Sequence, residues 1–309
     1  MRTARIAGWG IALPEKVVTN DDLAAVLDTS DEWIRERSGI RERRVGGTTA
    51  GLAIEAGQVA LDRAGIAAAD IDLLVLCTTT PDQQVPATSA TVQHALGLKC
   101  GAFDLNAACS GFVYGLVTAH QFIETGGTER ILLIGSETLS RIIDWDERTT
   151  AVLFGDGAGA VVLDSTDGES SLLGWDLGSD GSLRSILDAD IGGYMRMEGK
   201  EVFRRAVRVM IDSATRTMDR AGVTADDIAL FVPHQANIRI IESANAKLGF
   251  TMDRTAVVLD TTGNTSAASI PIALVDAVED GRLKRGDLVL MVGFGAGMTW
   301  ASALVRWAG

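Results

Sequence analysis

Three side chains in this 309-residue sequence have both the type and the setting for covalent chemistry: Cys109, His234 and Asn264. Cys109 lies in NAACSGF, at the start of a run that would be apolar on nearly every face of a helix over about residues 106–124. A thiol at a helix N-terminus meets the positive end of the dipole and unpaired backbone N–H groups, which favour the thiolate nucleophile, with Asn106 and Ser110 available to satisfy the first turn. The competing reading is a small, buried packing cysteine. Cys77, inside the apolar run DLLVLCT, and Cys100 have no such setting and read as packing residues. His234, in FVPHQAN, falls where a strand over 229–232 gives way to a helix, at the sheet edge where α/β proteins build sites, or else serves as a hydrogen-bonded structural histidine. His94 and His120 fall inside helical stretches and look incidental. Asn264, in TTGNTSAASIP, donates a hydrogen bond without carrying charge, or acts as a plain N-cap.

What would bring these three together is a repeat. DRAGIAAADIDLLV (62–75) and DRAGVTADDIALFV (219–232) agree at nine of fourteen positions at an offset of 157, and three fainter likenesses follow in the same order. DLNAACSG (104–111) pairs with DTTGNTSA (260–267), ILLIGSE with VLMVGFG, and AGAVVLD with WASALVR. Gene duplication into halves 1–164 and 165–309 explains all four. Each half reads as strand, helix, strand, helix, strand and a closing pair of strands. The stretches 106–124 and 266–278 are apolar all round, so each must be buried on all sides. Two α/β halves of this kind predict a five-layer αβαβα fold in which the sheets sandwich those central helices. Their N-termini then face one pocket. Residues 10–50, with a helix SDEWIRERS capped by Ser30, and residues 136–154 have no counterpart and read as additions to the frame.

Composition narrows the class. Acidic residues outnumber basic ones 41 to 28, for a net charge of −13, which argues against nucleic acid and against an anionic membrane surface as partners. No apolar run reaches bilayer length, and the start MRTARIAGWG lacks the apolar stretch of a signal peptide, so a reduced, cytoplasmic enzyme is expected. Three scattered cysteines make no disulfide scaffold, and no Cys or His pair stands at ligand spacing, so no metal is expected. The clusters GDGAGA (155–160) and GFGAGM (293–298) look like dinucleotide fingerprints, but β-patterned residues follow each, whereas a fingerprint needs a helix there.

The motifs DLNAACSGF, VPHQANIRII and DTTGNTSAASIP followed by GFGAGMTW, with TSDEWIRERSGIRERR and FGDGAGAVVL, resemble β-ketoacyl-acyl carrier protein synthase III along essentially the whole chain. This is a homodimeric, thiolase-fold family of condensing enzymes that starts fatty acid synthesis. The resemblance implies that Cys109 takes an acyl group from acyl-CoA, with the N–H groups of Cys109 and Ala296 as oxyanion hole. His234 and Asn264 then stabilise the enolate formed when malonyl-acyl carrier protein loses carbon dioxide. Decarboxylation supplies the carbanion without a strong base, so the resemblance implies no cofactor, acyl-CoA being a substrate. It also implies that Trp33, Arg37 and Arg148 hold coenzyme A, that Phe294 stands beside the nucleophile in the acyl pocket, and that Val85 lines that pocket from the partner subunit. Acetyl-preferring members carry phenylalanine at the Val85 position, so the smaller valine predicts longer or more branched primers.

Lys200, Arg204 and Arg208 recur at i, i+4 and i+8, with Arg205 beside them, a basic stripe in an acidic chain. It is either a solvated face or a contact for an acidic carrier protein, and by resemblance Arg204, Arg239 and Lys247 are the carrier contacts. Lys200 stands where the family often has asparagine, and Ala296 where it often has glycine. The same motifs also fit a secondary-metabolite condensing enzyme or an acyltransferase. A non-catalytic carrier-binding subunit fits less well, because such partners usually lose the nucleophile. A degradative thiolase would need a second cysteine in the terminal glycine loop, where GFGAGMTW has none.

Overall fold

A computed structural model describes residues 2–308. Its first sheet is built from β1 (Arg2–Ala12), β2 (Leu73–Cys77), β3 (Gly101–Leu105), β4 (Arg130–Thr138) and β5 (Asp156–Asp167), in the order β1-β5-β4-β2-β3. The second sheet uses β6 (Leu172–Ser179), β7 (Ile228–Pro233), β8 (Leu288–Gly295) and β9 (Thr299–Arg306), in the order β7-β8-β9-β6. In the first sheet β2 pairs in parallel with both β3 and β4, in the second the edge strand β7 pairs in parallel with β8, and the remaining pairs are antiparallel.

Seven helices matter for layering: α1 (Asp31–Ser38), α2 (Thr49–Ala64), α3 (Thr88–Ala95), α4 (Gly111–Glu124), α5 (Gly199–Ala221), α6 (Ile238–Leu248) and α7 (Ser269–Glu279). Strand alternation decides which face meets which helix. Leu74 and Leu76 of β2 point to the outer layer, where they pack with Ala53, Ala56 and Ala60 of α2. Val75 and Cys77 point inward, to Phe112 and Leu116 of α4. The same inner core takes Val232 and Met291 of the second sheet and Ile272 and Leu274 of α7. Beyond the second sheet, Phe231 and Leu290 meet Met210 of α5 and Ile240 of α6. The layers therefore run helices, sheet, the two central helices, sheet, helices, the five-layer thiolase-type architecture. Burying a side chain such as Phe112 or Leu116 contributes about 1.5–3 kcal/mol, so the apolar character of α4 and α7 is itself what holds them at the centre.

Most of the additions expected at 10–50 and 136–154 are excursions, but their ends belong to the frame: Gly10–Ala12 complete β1, Thr49 and Ala50 open α2, and Ser136–Thr138 complete β4. Ser30 accepts a hydrogen bond from Trp33 N–H at 3.1 Å and caps α1, which Gly39 ends in the left-handed conformation. Neither glycine cluster precedes a helix. GDGAGA enters β5, and GFGAGM forms the β8–β9 turn.

Two expectations need correction. The third strand of the later half is reduced to a single bridge between Thr255 and Phe231. Its polar groups are taken by side chains instead: Arg282 Nη2 donates to the Thr255 carbonyl at 3.0 Å, and Asn245 Nδ2 to its hydroxyl at 2.9 Å. Secondly, the turns at Cys109 and Asn264 are equivalent in a register two residues later than DLNAACSG with DTTGNTSA suggests. Ala108 and Ser266 are the two non-glycine residues with positive φ among the described residues, at 50° and 47°, so Asn106 corresponds to Asn264 and Cys109 to Ala267. Among the described residues no helix is long and apolar enough to cross a membrane, and no group of three or more His, Cys, Asp or Glu is placed to hold a metal ion.

Candidate active site

The nucleophile turn begins where β3 ends. Asn106 Oδ1 accepts from Ala108 N–H at 3.1 Å, a short 3₁₀ turn over Ala108–Ser110 carries Cys109, and α4 starts only at Gly111. Ser110 does not cap the helix with its side chain, and Thr299 Oγ1 instead donates to the Ala107 carbonyl at 2.9 Å. The backbone N–H of Cys109 has no protein partner among the described residues. Gly295, the last residue of β8, lies against that nitrogen.

The thiolate expected from the helix N-terminus is not what the structure holds at rest. Burial pushes the Cys109 thiol up to about 12, a Ser266 hydroxyl contact works against that shift, and the charge of Glu137 adds to it. The reason is enclosure: Cys109 is 9% exposed, and the low-dielectric surroundings disfavour the anion more than a helix still two residues away favours it.

His234 is also buried, and burial lowers its pKa to about 3, so the ring is neutral near pH 7. Its Nδ1 lies 2.7 Å from Ser269 Oγ, and its ring edge meets Phe294 with centroids 5.2 Å apart. Among the described residues Nδ1 is the one acceptor within reach of the Ser269 hydroxyl, whose oxygen takes the Gln235 N–H at 3.4 Å, so the hydroxyl hydrogen serves Nδ1. That assignment leaves the imidazole hydrogen on Nε2. Asn264 is pinned through its main chain, donating to Leu153 O at 2.8 Å and accepting from Gly155 N–H at 3.0 Å. Its Oδ1 accepts from Ser266 N–H at 2.9 Å, so the side chain does cap a turn, and its Nδ2 remains the free donor.

All of these groups share one cavity of about 520 Å³, lined by Cys109, His234, Asn264, Phe294 and Ala296. Much of its remaining wall is apolar, with Leu139, Ile142, Leu187 and Met195 among the lining side chains. One thiol, one neutral imidazole N–H, one amide donor and an unpaired backbone N–H therefore face the same space. Such a set acylates a thiol and stabilises oxyanions.

None of the remaining residues singled out from their motifs is among the side chains that line the cavity. The guanidinium groups of Arg37 and Arg148 stand 4.6 and 4.8 Å from the Trp33 ring. Asn237 lines the cavity and donates to the Arg37 carbonyl at 2.8 Å, which ties this cluster to the rim. Arg239 lies over Phe203, another lining residue, at 5.6 Å, while Arg204 and Lys247 are exposed on α5 and α6. The basic stripe is weaker than its sequence implies: Glu201 pairs with both Arg204 and Arg205 at 2.7 Å, and Asp212 lies 3.6 Å from Arg208. Lys200 is exposed at the start of α5. Val85 does not line the cavity of its own chain and is 81% exposed. The motifs do not single out Ser269, Gly295 and Glu137, whose roles depend on neighbours more than 20 residues away. A serine at the head of a buried apolar helix is the one hint of Ser269.

Two profiles of the 3-oxoacyl-[acyl-carrier-protein] synthase III family match the chain, over residues 103–181 and, for the C-terminal part, 218–307. The chain is 49% identical over 306 residues to beta-ketoacyl-[acyl-carrier-protein] synthase III 1 of Bacillus anthracis, covering 98% of both chains. The chain belongs to this family. Among solved synthase III structures, that of Aquifex aeolicus superposes with a TM-score of 0.97 at 45% identity, covering 98% of this chain and 100% of that one. The priming beta-ketosynthase of the R1128 polyketide pathway superposes at 0.93 and 36% identity, covering 99% of this chain and 96% of that one. Membership of the synthase III family agrees with the five-layer frame.

Proposed function

We propose that this protein catalyses the condensation that starts fatty acid synthesis, joining an acyl-CoA primer to malonyl-acyl carrier protein through an acyl-Cys109 intermediate. The observation that carries this reading is the convergence of Cys109, His234 and Asn264 on one cavity. In the first half-reaction the Cys109 Sγ–acyl bond forms as the acyl–sulfur bond of acyl-CoA breaks, and the thiol proton ends on the released coenzyme A. The tetrahedral oxyanion takes hydrogen bonds from the N–H groups of Cys109 and Ala296, each donor being worth about 2.7–4 kcal/mol.

In the second half-reaction the malonyl C–CO₂ bond breaks, and the electron pair passes into the thioester as an enolate. Nε2–H of His234 and Nδ2–H of Asn264 donate to the enolate oxygen. These bonds strengthen as charge develops, which is the condition for lowering a barrier. The carbanion carbon then attacks the acyl carbon, Cys109 leaves as thiolate, and a solvent proton restores the thiol.

Trp33, Arg37 and Arg148 are read as the adenine and phosphate platform: a flat indole between guanidinium groups offers stacking and charge together. Phe294 walls the acyl pocket, and Val85 reaches it from the partner subunit of a homodimer, so primers larger than acetyl are favoured. Arg204, Arg239 and Lys247 are read as contacts for an acidic carrier, Arg239 lying over the lining residue Phe203. The halves 1–164 and 165–309 are read as products of duplication, on the strength of the matching strand orders. The likeness to the R1128 priming ketosynthase supports a second reading for the pathway alone, a condensing enzyme of secondary metabolism with the same chemistry.

The test is a pair of measurements: incubation with radiolabelled isobutyryl-CoA or acetyl-CoA, then addition of malonyl-acyl carrier protein. Label on Cys109 that moves into a β-ketoacyl product is the expected result. Label without extension would indicate an acyltransferase, and no label would indicate a binding subunit.

A further inference from the structure

The two pseudo-equivalent turns are built alike but finished differently. Ala107 and Thr265 have backbone angles of −130°, 34° and −100°, 26°, and are followed by Ala108 and Ser266 at positive φ. In each turn an asparagine Oδ1 accepts the N–H two residues on, Asn106 from Ala108 and Asn264 from Ser266. A strand glycine lies over each: Gly293 against Cys109 O and Ser110 Cα, Gly135 against Ala267 O and Ala268 Cα. Two residues beyond those glycines the copies diverge. Gly295 leaves the Cys109 N–H open to the cavity, whereas the equivalent residue, Glu137, places Oε1 3.4 Å from Ala267 N and accepts its N–H.

Glu137 is fully buried and binds far more than this one group. It also accepts from Thr78 Oγ1 at 3.1 Å, from the N–H and hydroxyl of Thr79, and from Thr80 N–H at 3.1 Å and Thr80 Oγ1 at 2.6 Å. These donors come from the loop after β2, and Thr79 lines the cavity. A side chain that collects this many donors from two loops fixes one relative to the other.

We propose that Glu137 is a positioning residue for the condensation half of the reaction, holding the turn that carries Asn264 through the Ala267 N–H and tying it to Thr78–Thr80. The inference rests on the reading of Asn264 as an enolate donor. Asn264 has little else to hold its side chain, because Oδ1 bonds only within the same turn and Nδ2 must stay free for substrate. The Cys109 turn is braced differently, by Thr299 Oγ1 donating to the Ala107 carbonyl at 2.9 Å, which leaves the Cys109 N–H open where a carboxylate would fill the oxyanion site.

E137Q tests this. An amide cannot accept at both oxygen positions, so one backbone N–H loses its acceptor, and the longest bond, to Ala267, is the one given up. The two half-reactions are measured separately: single-turnover acylation of Cys109 by radiolabelled isobutyryl-CoA, and carbon dioxide release from malonyl-acyl carrier protein. The expected result is a tenfold loss in carbon dioxide release with acylation no slower than half the natural rate, since loss of the Glu137 charge favours the Cys109 thiolate. If E137Q does not fold, E137D, which withdraws from Ala267 while reaching the threonines, is expected to give the same split. Carbon dioxide release within threefold of the natural chain, or an equal fall in both half-reactions, overturns the inference. N264A separates the two readings. If it leaves carbon dioxide release intact, the function assigned to Asn264 fails; if it abolishes release while E137Q does not lower it, only the role of Glu137 fails.

Discussion

Gly295 lies directly against the backbone nitrogen of Cys109: a Cβ there would come within 2.5 Å of that nitrogen and 2.8 Å of Ala108 Cβ. Both neighbours belong to a main-chain turn that cannot rotate out of the way. Glycine at this position is therefore what keeps the Cys109 N–H open to the cavity.

G295A is accordingly expected to slow Cys109 acylation by about 10²- to 10³-fold, the loss of one oxyanion donor worth about 2.7–4 kcal/mol. Single-turnover labelling from acyl-CoA measures it. Acylation within fivefold of the natural rate would show that the N–H is not a donor.

The coenzyme A platform proposed for Trp33, Arg37 and Arg148 predicts a split between kinetic parameters. W33A removes the ring that Arg37 and Arg148 face at 4.6 and 4.8 Å. Loss of stacking and cation–π contact worth about 1–2 kcal/mol raises KM for acyl-CoA roughly tenfold. Acylation at saturating acyl-CoA should be unchanged. A fall in the saturated rate with KM constant would place the platform elsewhere.

Primer choice is the expected consequence of Val85. V85F should move the ratio of kcat/KM for acetyl-CoA over isobutyryl-CoA about tenfold toward acetyl, because methyl-sized differences in an apolar pocket are worth about 1–3 kcal/mol. An unchanged ratio removes Val85 from the pocket. In the natural chain, a tenfold preference for acetyl-CoA over both isobutyryl-CoA and octanoyl-CoA would do the same.

Acid sensitivity follows from His120. It is buried in α4 with no partner for Nδ1 among the described residues, and burial lowers its pKa from 6.5 to about 4. Below pH 6.5 the unfolded chain takes a proton that the folded chain refuses, so stability is complete above that pH and falls as the pH drops toward 4. The loss approaches about 3 kcal/mol at 1.36 kcal/mol per pH unit. His234, lowered to about 3 by burial, acts in the same direction. Urea midpoints at pH 7 and pH 5 should show this drop, and H120L should shrink it. An equal drop in H120L would assign the effect to other groups.

Residue types and local period make the chemistry and the layering legible. A cysteine, a histidine and an asparagine at segment boundaries, glycine clusters followed by β pattern, and two helices apolar on every face are all statements about near neighbours in sequence. They lead to the right elements and to one cavity. The register of the second turn reads two residues early, because chance identities outweigh a φ angle that no residue letter reveals.

The sequence by itself determined the elements, their layering and the identities of the cavity's cysteine, imidazole and carboxamide, since these depend on side-chain type and periodicity. Only the tertiary structure decided that the thiol rests protonated, that Ser269 orients His234, and that Glu137 fills in one turn the place Gly295 leaves open in the other. Burial, field and hydrogen-bond partnership are set by atoms distant along the chain. Glu137 and Ala267 stand 130 residues apart in sequence yet share a hydrogen bond.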